Sequence, residues 1–443
     1  MHNEKMQPKQ SHLWIWILPL VALLLLGSCK RTSVNSGTGL ANSSPAVLVS
    51  VAGDAAEPAI ATSPSGDVYV AWVNHGSKGK ADVMIARFTS DGKIEGSPVR
   101  VNPQAGIATA WRGDPPTLAV APDQTVFVGW TAQVESDTHH ATDVYLSASR
   151  DRGQTFAAPV KVNDDEKPSS HGLHSLAIGS DGRIYMAWLD DRNLVPPPAE
   201  DAQSGTGQHH EESNRELFSA FSTDGGRTFS KNQRLAADVC PCCKSALAVA
   251  SDGRVYASWR QVLPGDYRHI AVAASSDGGQ TFLKSVIVSD DRWILKGCPV
   301  SGPSLAFAKD GSLRVLWYAG AENDQQGIYW SDSRDGGLSF AERQLLAPGF
   351  ARSTPVLIGD AKEVPMAVWE ASANNRSELQ ATTLIDVDQF VTKSLTIAED
   401  GELPAAAAVN NRIVVAYVAK EGEKRSIWLR MIGRFQQTGR TPA

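Results

Sequence analysis

Ser222-Thr223-Asp224-Gly225-Gly226-Arg227-Thr228-Phe229 returns three more times in the chain, as SRDRGQTF from Ser149, SSDGGQTF from Ser275 and SRDGGLSF from Ser333. Each copy reads as a tight turn between two strands. The aspartate (Asp151, Asp224, Asp277, Asp335) can accept hydrogen bonds from the N–H groups of its own turn. The glycine two residues later (Gly153, Gly226, Gly279, Gly337) supplies the positive φ that a side chain would make costly. The closing aromatic (Phe156, Phe229, Phe282, Phe340) starts the next strand by burying its ring. Four copies, each after an apolar strand-like run, mark a repeat protein made of strands.

The repeat extends beyond the turn. A motif of the form V-Y-V-A-W precedes each box, anchored by Trp72, Trp130, Trp188, Trp259, Trp317, Trp369 and a weaker Tyr417. The spacing of roughly fifty residues suits a four-stranded unit. In the third unit the strands read Ser175–Ile178, Ile184–Leu189, Leu217–Phe221 and Arg234–Ala236, with period-two alternation in IYMAW. The eight-residue motif resembles the Asp-box, or BNR repeat, of the sialidase-type β-propellers. The resemblance implies an all-β chain folded as a single β-propeller of four-stranded blades. Seven anchors favour seven blades; six, the usual sialidase number, is the alternative. The last unit has only three strands, Ala405–Val409, Ile413–Val418 and Ile427–Met431, so Val47–Val51 is expected to supply the fourth and close the ring.

The first residues read as an export signal. Lys5 and Lys9 precede an apolar run from Leu13 to Leu26, which is short for a permanent membrane helix. Leu26-Gly27-Ser28-Cys29 resembles the lipobox of bacterial lipoproteins, which implies lipidation of Cys29; an ordinary secretory signal is the alternative. The boundaries are then a leader at 1–28, a flexible tether at 29–45, the propeller at 46–433 and a tail at 434–443. Such a protein is anchored on the extracytoplasmic side of a membrane, in the periplasm or at the cell surface. Losing Glu4, Lys5 and Lys9 with the leader takes the formal charge from −6 to −7. A mildly acidic domain argues against nucleic acid as a partner.

In a four-stranded blade, the turns carrying the boxes lie on one face. The loops before each first strand and after each V-Y-V-A-W lie on the other, around the channel mouth. That set holds Glu57, Arg112, Asp114, His171, His174, Asp191, Arg260, Asp266, Tyr267, Arg268, Arg352, Glu370 and Glu402. His2 and His12 belong to the leader, and the other eight of the ten histidines fall in these loops. The candidate ligand-binding residues are Arg112, Asp114, His171, His174, Asp191, Arg260, Asp266, Arg268 and Glu370. The insertion from Leu194 to Ser213 is either a lid over the mouth or a solvated decoration.

Cys240, Cys242 and Cys243 open the fourth unit and Cys298 opens the fifth, so the four thiols are expected to cluster at the mouth beneath that insertion, with Arg260 on the same rim. Two disulfides, one tying Cys298 to the cluster, are the first reading for an exported protein, and a vicinal Cys242–Cys243 bridge is a version of it. A Cu or Zn site completed by His171 or His174 is the second, and unligated thiols the third. The sialidase resemblance does not carry a catalytic site. The arginine of an R-I-P-like motif that those enzymes use to hold a carboxylate falls here in Ala56-Glu57-Pro58-Ala59-Ile60, where Glu57 would repel it. Two functions of different class remain. One is a module binding a glycan, a small anionic ligand, a metal or a protein partner. The other is an exo-acting glycoside hydrolase with a non-standard site.

Overall fold

The computed structural model describes residues 44–50, 53–135, 141–194, 214–294, 300–320, 325–360, 363–373, 376–384 and 394–433. The leader, Cys29, most of the tether, His139, His140, all but Leu194 of the Leu194–Ser213 insertion, Cys298 and the tail lie outside them.

Among the described residues strands account for nearly all the regular structure, with one 3-10 turn at Ser77–Gly79. A two-residue strand β1 (Val47–Leu48) comes first. The next units are β2 (Asp54–Thr62), β3 (Val68–His75), β4 (Ala81–Phe88) and β5 (Ile94–Arg100), then β6 (Thr117–Val120), β7 (Val126–Gln133), β8 (Thr142–Ser149) and β9 (Val160–Lys161). The third is β10 (His171–Ile178), β11 (Ile184–Asp190), β12 (Arg215–Ser222) and β13 (Gln233–Val239). The fourth is β14 (Ala246–Val249), β15 (Val255–Leu263), β16 (Tyr267–Ser275) and β17 (Val286–Ile287). The fifth runs β18 (Ser304–Phe307), β19 (Leu313–Ala319), β20 (Gly327–Ser333) and β21 (Gln344–Pro348). The sixth runs β22 (Val356–Asp360), β23 (Glu363–Ala373), β24 (Arg376–Thr383) and β25 (Leu395–Glu399). The last is β26 (Gly401–Val409), β27 (Arg412–Glu421) and β28 (Lys424–Gly433), with β1 paired outside β28.

Every sheet is antiparallel. The third and fourth units share one sheet through the single pair Val239–Gln261, and the others stand alone. The inner strands β2, β6, β10, β14, β18, β22 and β26 each neighbour the next, and β26 returns to β2, so the ring is closed. The closure is between chain ends: Val47 lies opposite Leu429 and Leu48 opposite Trp428.

The boxes explain how one unit packs on the one before. In the third unit, Ser222 Oγ donates to Asp224 at 2.8 Å, and Asp224 accepts from the N–H groups of Arg227 (2.9 Å) and Thr228 (3.0 Å). Ser222 Oγ in turn accepts from Gly226 N–H at 3.0 Å. Hydrogen bonds, first from the Ser149 and Thr281 hydroxyls respectively, hold Asp151 and Asp277 down to about 2. Gly226 has φ of 77°, and a Cβ there would meet the Phe127 ring of the preceding unit at 3.1 Å. Phe229 packs into the same core, with Val144 and Leu146 of one unit and Ile184 and Trp188 of the next. Phe156, Phe282 and Phe340 occupy the corresponding interfaces. Strands with both faces covered need apolar residues throughout, and β11 is buried along its whole length.

Candidate functional site

The cavity on the axis is built by the beginnings of the inner strands. It measures about 320 Å³ and is lined from all seven units, including Glu57, Arg112, Ser175, Lys244, Ser304, Arg352 and Ala405. Bulges shape these beginnings: the register slips between Ala56 and Ala59, between Gly172 and Ser175, and between Glu402 and Ala405. Glu57, Leu173 and Leu403 adopt positive φ of 51°, 54° and 49° inside those slips. A bulge of this kind re-aims neighbouring side chains, here around the channel.

Three cations line the cavity. Arg112 reaches Glu402 at 3.3 Å and Glu370 at 3.5 Å. Glu370 is buried and also accepts from Leu403 N–H (3.0 Å) and Ser377 Oγ (2.9 Å). Arg352 donates to Ser372 Oγ at 3.2 Å. Lys244 precedes β14, and crowding by protein pushes its ammonium down to about 8, against the pull of Asp114. Among the described residues neither Lys244 nor Arg352 forms an ion pair. The acidic lining residue, Glu57, is engaged: its Oε2 meets His75 Nε2 at 2.5 Å and Arg425 lies 3.9 Å from its other oxygen.

Of the nine expected ligand-binding residues, Arg112 is the one that lines this cavity. His171 and His174 lie inside β10, fully packed. His171 Nε2 faces Asp165 (3.2 Å) and Asp190 (3.4 Å). Burial pushes its imidazole down, but the two carboxylates win and hold it above its ordinary value. His174 Nδ1 bonds Asp114 at 3.1 Å, and Asp114 also accepts from Thr131 Oγ1 at 3.1 Å. Burial acts to raise the Asp114 carboxyl, yet the charges of His174 and Lys244 keep it below the usual range. Asp191 pairs with Arg215, and burial pushes its carboxyl up. Asp266 pairs with Arg268 at 2.6 Å, half-exposed.

The sequence places Arg260 on the rim; it is instead wholly buried. The reason is strand length: β15 continues to Leu263, so Arg260 lies within it, and its guanidinium is enclosed against the Trp293 ring. The expected completion of a metal shell by a histidine is also corrected. Among the described residues, the group able to share one ion is Cys240, Cys242 and Cys243, and neither His171 nor His174 lies within it. Within that group Cys242 is disulfide-bonded and Cys240 and Cys243 are free, which leaves two thiols as donors. The partner of Cys242 is outside the described residues, as Cys298 is. A Cys242–Cys243 bridge does not occur. Lys244 escapes sequence reasoning; its signal is its place in the loop that enters an inner strand, as Arg112 and Arg352 are in theirs.

Residues 66–347 match the family described as the BNR repeat-like domain. The chain belongs to that family. No curated protein matches it by sequence. Solved structures similar to this BNR repeat protein include one of unknown function from Dyadobacter fermentans, 13% identical, covering 89% of this chain and 99% of that one at a TM-score of 0.53. Another is the polysaccharide lyase Uly1, 11% identical over 87% of this chain and 90% of that one, TM-score 0.50. The Hadza microbial sialidase Hz136 is 14% identical over 83% and 76%, TM-score 0.47. At these identities the likeness is one of fold alone.

Proposed function

We propose that this BNR propeller is an exported, lipid-anchored binding module whose axial cavity holds a small anion, with Lys244 and Arg352 as the charged contacts and Arg112 as their braced neighbour. One observation carries the reading. Two cations without ion-pair partners among the described residues face a cavity whose acidic lining residue, Glu57, is already bonded to His75. An incoming carboxylate, sulfate or phosphate would satisfy both cations at once.

The hydrolase alternative needs two carboxylates about 5–10 Å apart across a bond. Asp114, Glu370 and Glu402 are each held by protein partners and do not line the cavity. The anchor rests on the leader and on Cys29, which puts the cavity on the extracytoplasmic side.

Calorimetric titration of the full chain with glucuronate, sulfate and glucose tests this. Binding of the two anions but not glucose is expected, weakening with salt. Lys244→Met and Arg352→Met should each lose about tenfold in affinity, the scale of one charge-assisted contact. Affinity should also fall as pH rises through about 8, where the free Lys244 amine loses its proton. Equal binding of glucose, or variants that bind as the parent does, would overturn the reading.

A further inference from the structure

The loop between β13 and β14 opens with Cys240-Pro241-Cys242-Cys243, so Cys240 and Cys243 are spaced as C-x-x-C. Cys240 N–H donates to the Arg260 carbonyl at 2.9 Å, and the turn brings Cys240 Sγ within 3.3 Å of Cys243 Sγ. Both thiols are free and buried. Forming a bond of ~2.05 Å from that separation requires little more than side-chain rotation.

The charge beside them is unusual. The Arg260 guanidinium is fully buried; Nε and Nη2 donate to Ser301 O (3.3 and 2.9 Å), and Nη2 also donates to Tyr318 O (2.8 Å). Its face lies 4.8 Å over the Trp293 ring, and Nη1 has no nitrogen or oxygen partner among the described residues. Carbonyls do not neutralise a cation, and a buried guanidinium calls for an anion. The titratable groups that act on it are the Cys243 and Cys240 sulfurs, the Tyr318 hydroxyl and Asp291, the last itself bonded to Arg343 (2.6 Å) and Trp317 Nε1 (2.8 Å). Burial works to raise the Cys243 thiol, but the Cys240 hydrogen bond and the Arg260 charge bring it down to about 6, while Cys240 is pushed up.

We propose that Cys240 and Cys243 form a reversible dithiol–disulfide pair, with Cys243 as the thiolate, Cys240 as its partner, and Arg260 as the cation that favours the reduced form. The oxidant is a small disulfide such as oxidised glutathione. The Cys243 thiolate attacks one of its sulfurs and releases glutathione thiolate, which takes the Cys240 proton. The Cys240 thiolate then attacks the Cys243 sulfur of the mixed disulfide and expels the second glutathione as thiolate. Two electrons pass from the pair to the glutathione disulfide. Closing the bridge erases the negative charge beside Arg260, so the disulfide is readily reduced, as in pairs whose reduced form is stabilised. Burial of both sulfurs slows exchange and leaves the equilibrium unchanged.

The test equilibrates the full chain in glutathione buffers of graded ratio, quenches with acid, alkylates and maps each cysteine by mass spectrometry. The Cys240–Cys243 bridge is expected to open at ratios about tenfold or more oxidising than those that open the Cys242 disulfide in the same molecule. Arg260→Gln should move the pair about tenfold toward the disulfide, with Arg260→Lys between it and the parent. If Arg260→Gln does not fold, the pH profile of Cys243 alkylation in Cys240→Ser serves instead: a midpoint well below an ordinary thiol supports the pair, and an ordinary one overturns it. A pair that stays reduced in fully oxidised glutathione would sink the proposal. So would an equilibrium indifferent to Arg260, or stoichiometric zinc or copper that blocks alkylation.

Discussion

Replacing Lys244 with methionine should make the protein more stable while removing its anion site. Methionine keeps most of the side-chain volume and removes a cation that the fold pays to hold away from water. The magnitude follows from the ammonium's displacement from 10.5 to about 8. At about 1.4 kcal/mol per unit this is an upper bound of about 3 kcal/mol, and the partial exposure of Lys244 brings the expectation to about 1–3 kcal/mol. The sign can be checked through pH. At pH 7 the amine is protonated in folded and unfolded chains alike, so the folded parent bears the whole penalty. Between pH 8 and 10.5 the unfolded chain still binds the proton that the folded one has released, so the parent gains stability with rising pH. The variant's advantage should therefore be largest near pH 7 and shrink toward zero as pH approaches 10.5. Denaturant unfolding of parent and variant at about pH 7, 8.5 and 10 measures it, with other titrating groups cancelling in the difference. A variant less stable than the parent at neutral pH, or an advantage that does not change with pH, would refute the reasoning.

Asp224→Ala removes the acceptor for the turn's two N–H groups and two hydroxyls; it should cost about 1–3 kcal/mol by denaturant unfolding and leave anion affinity unchanged. Turnover of simple sialosides should be absent in a fluorogenic assay, because Glu57 holds the place of the expected arginine and is bonded to His75; robust hydrolysis abolished by Glu370→Gln would reverse that. Cys29→Ser should move the protein from the membrane to the soluble fraction on fractionation, and unchanged partitioning would remove the lipid anchor.

The legible part of this fold was local. An Asx turn, a glycine at positive φ and a closing aromatic are read within eight residues, and the same residues make the contact between units: Gly226 against Phe127, Phe229 between β7 and β11. The candidate site was hidden because it depends on where strands begin and end, which the residues at their edges do not announce. His171 and His174 look like loop residues beside Gly172, yet β10 starts at His171 and a bulge at Leu173 folds both rings into the protein against carboxylates. Arg260 follows the tryptophan that reads as the end of its strand, but β15 runs on to Leu263, so a residue expected at the surface became a buried charge. Lys244 is overlooked for the opposite reason. A lysine after three cysteines reads as solvated surface, and only the convergence of seven inner strands shows that the position before each one faces the axis. Position in the blade, more than residue type, decides which charges meet: Arg112, Lys244 and Arg352 stand in the loops that enter the inner strands of three units, and the ring brings them into one cavity. The same rule separates the two chemistries of the fourth unit, where Cys243 turns inward against Arg260 and its neighbour Lys244 turns toward the channel.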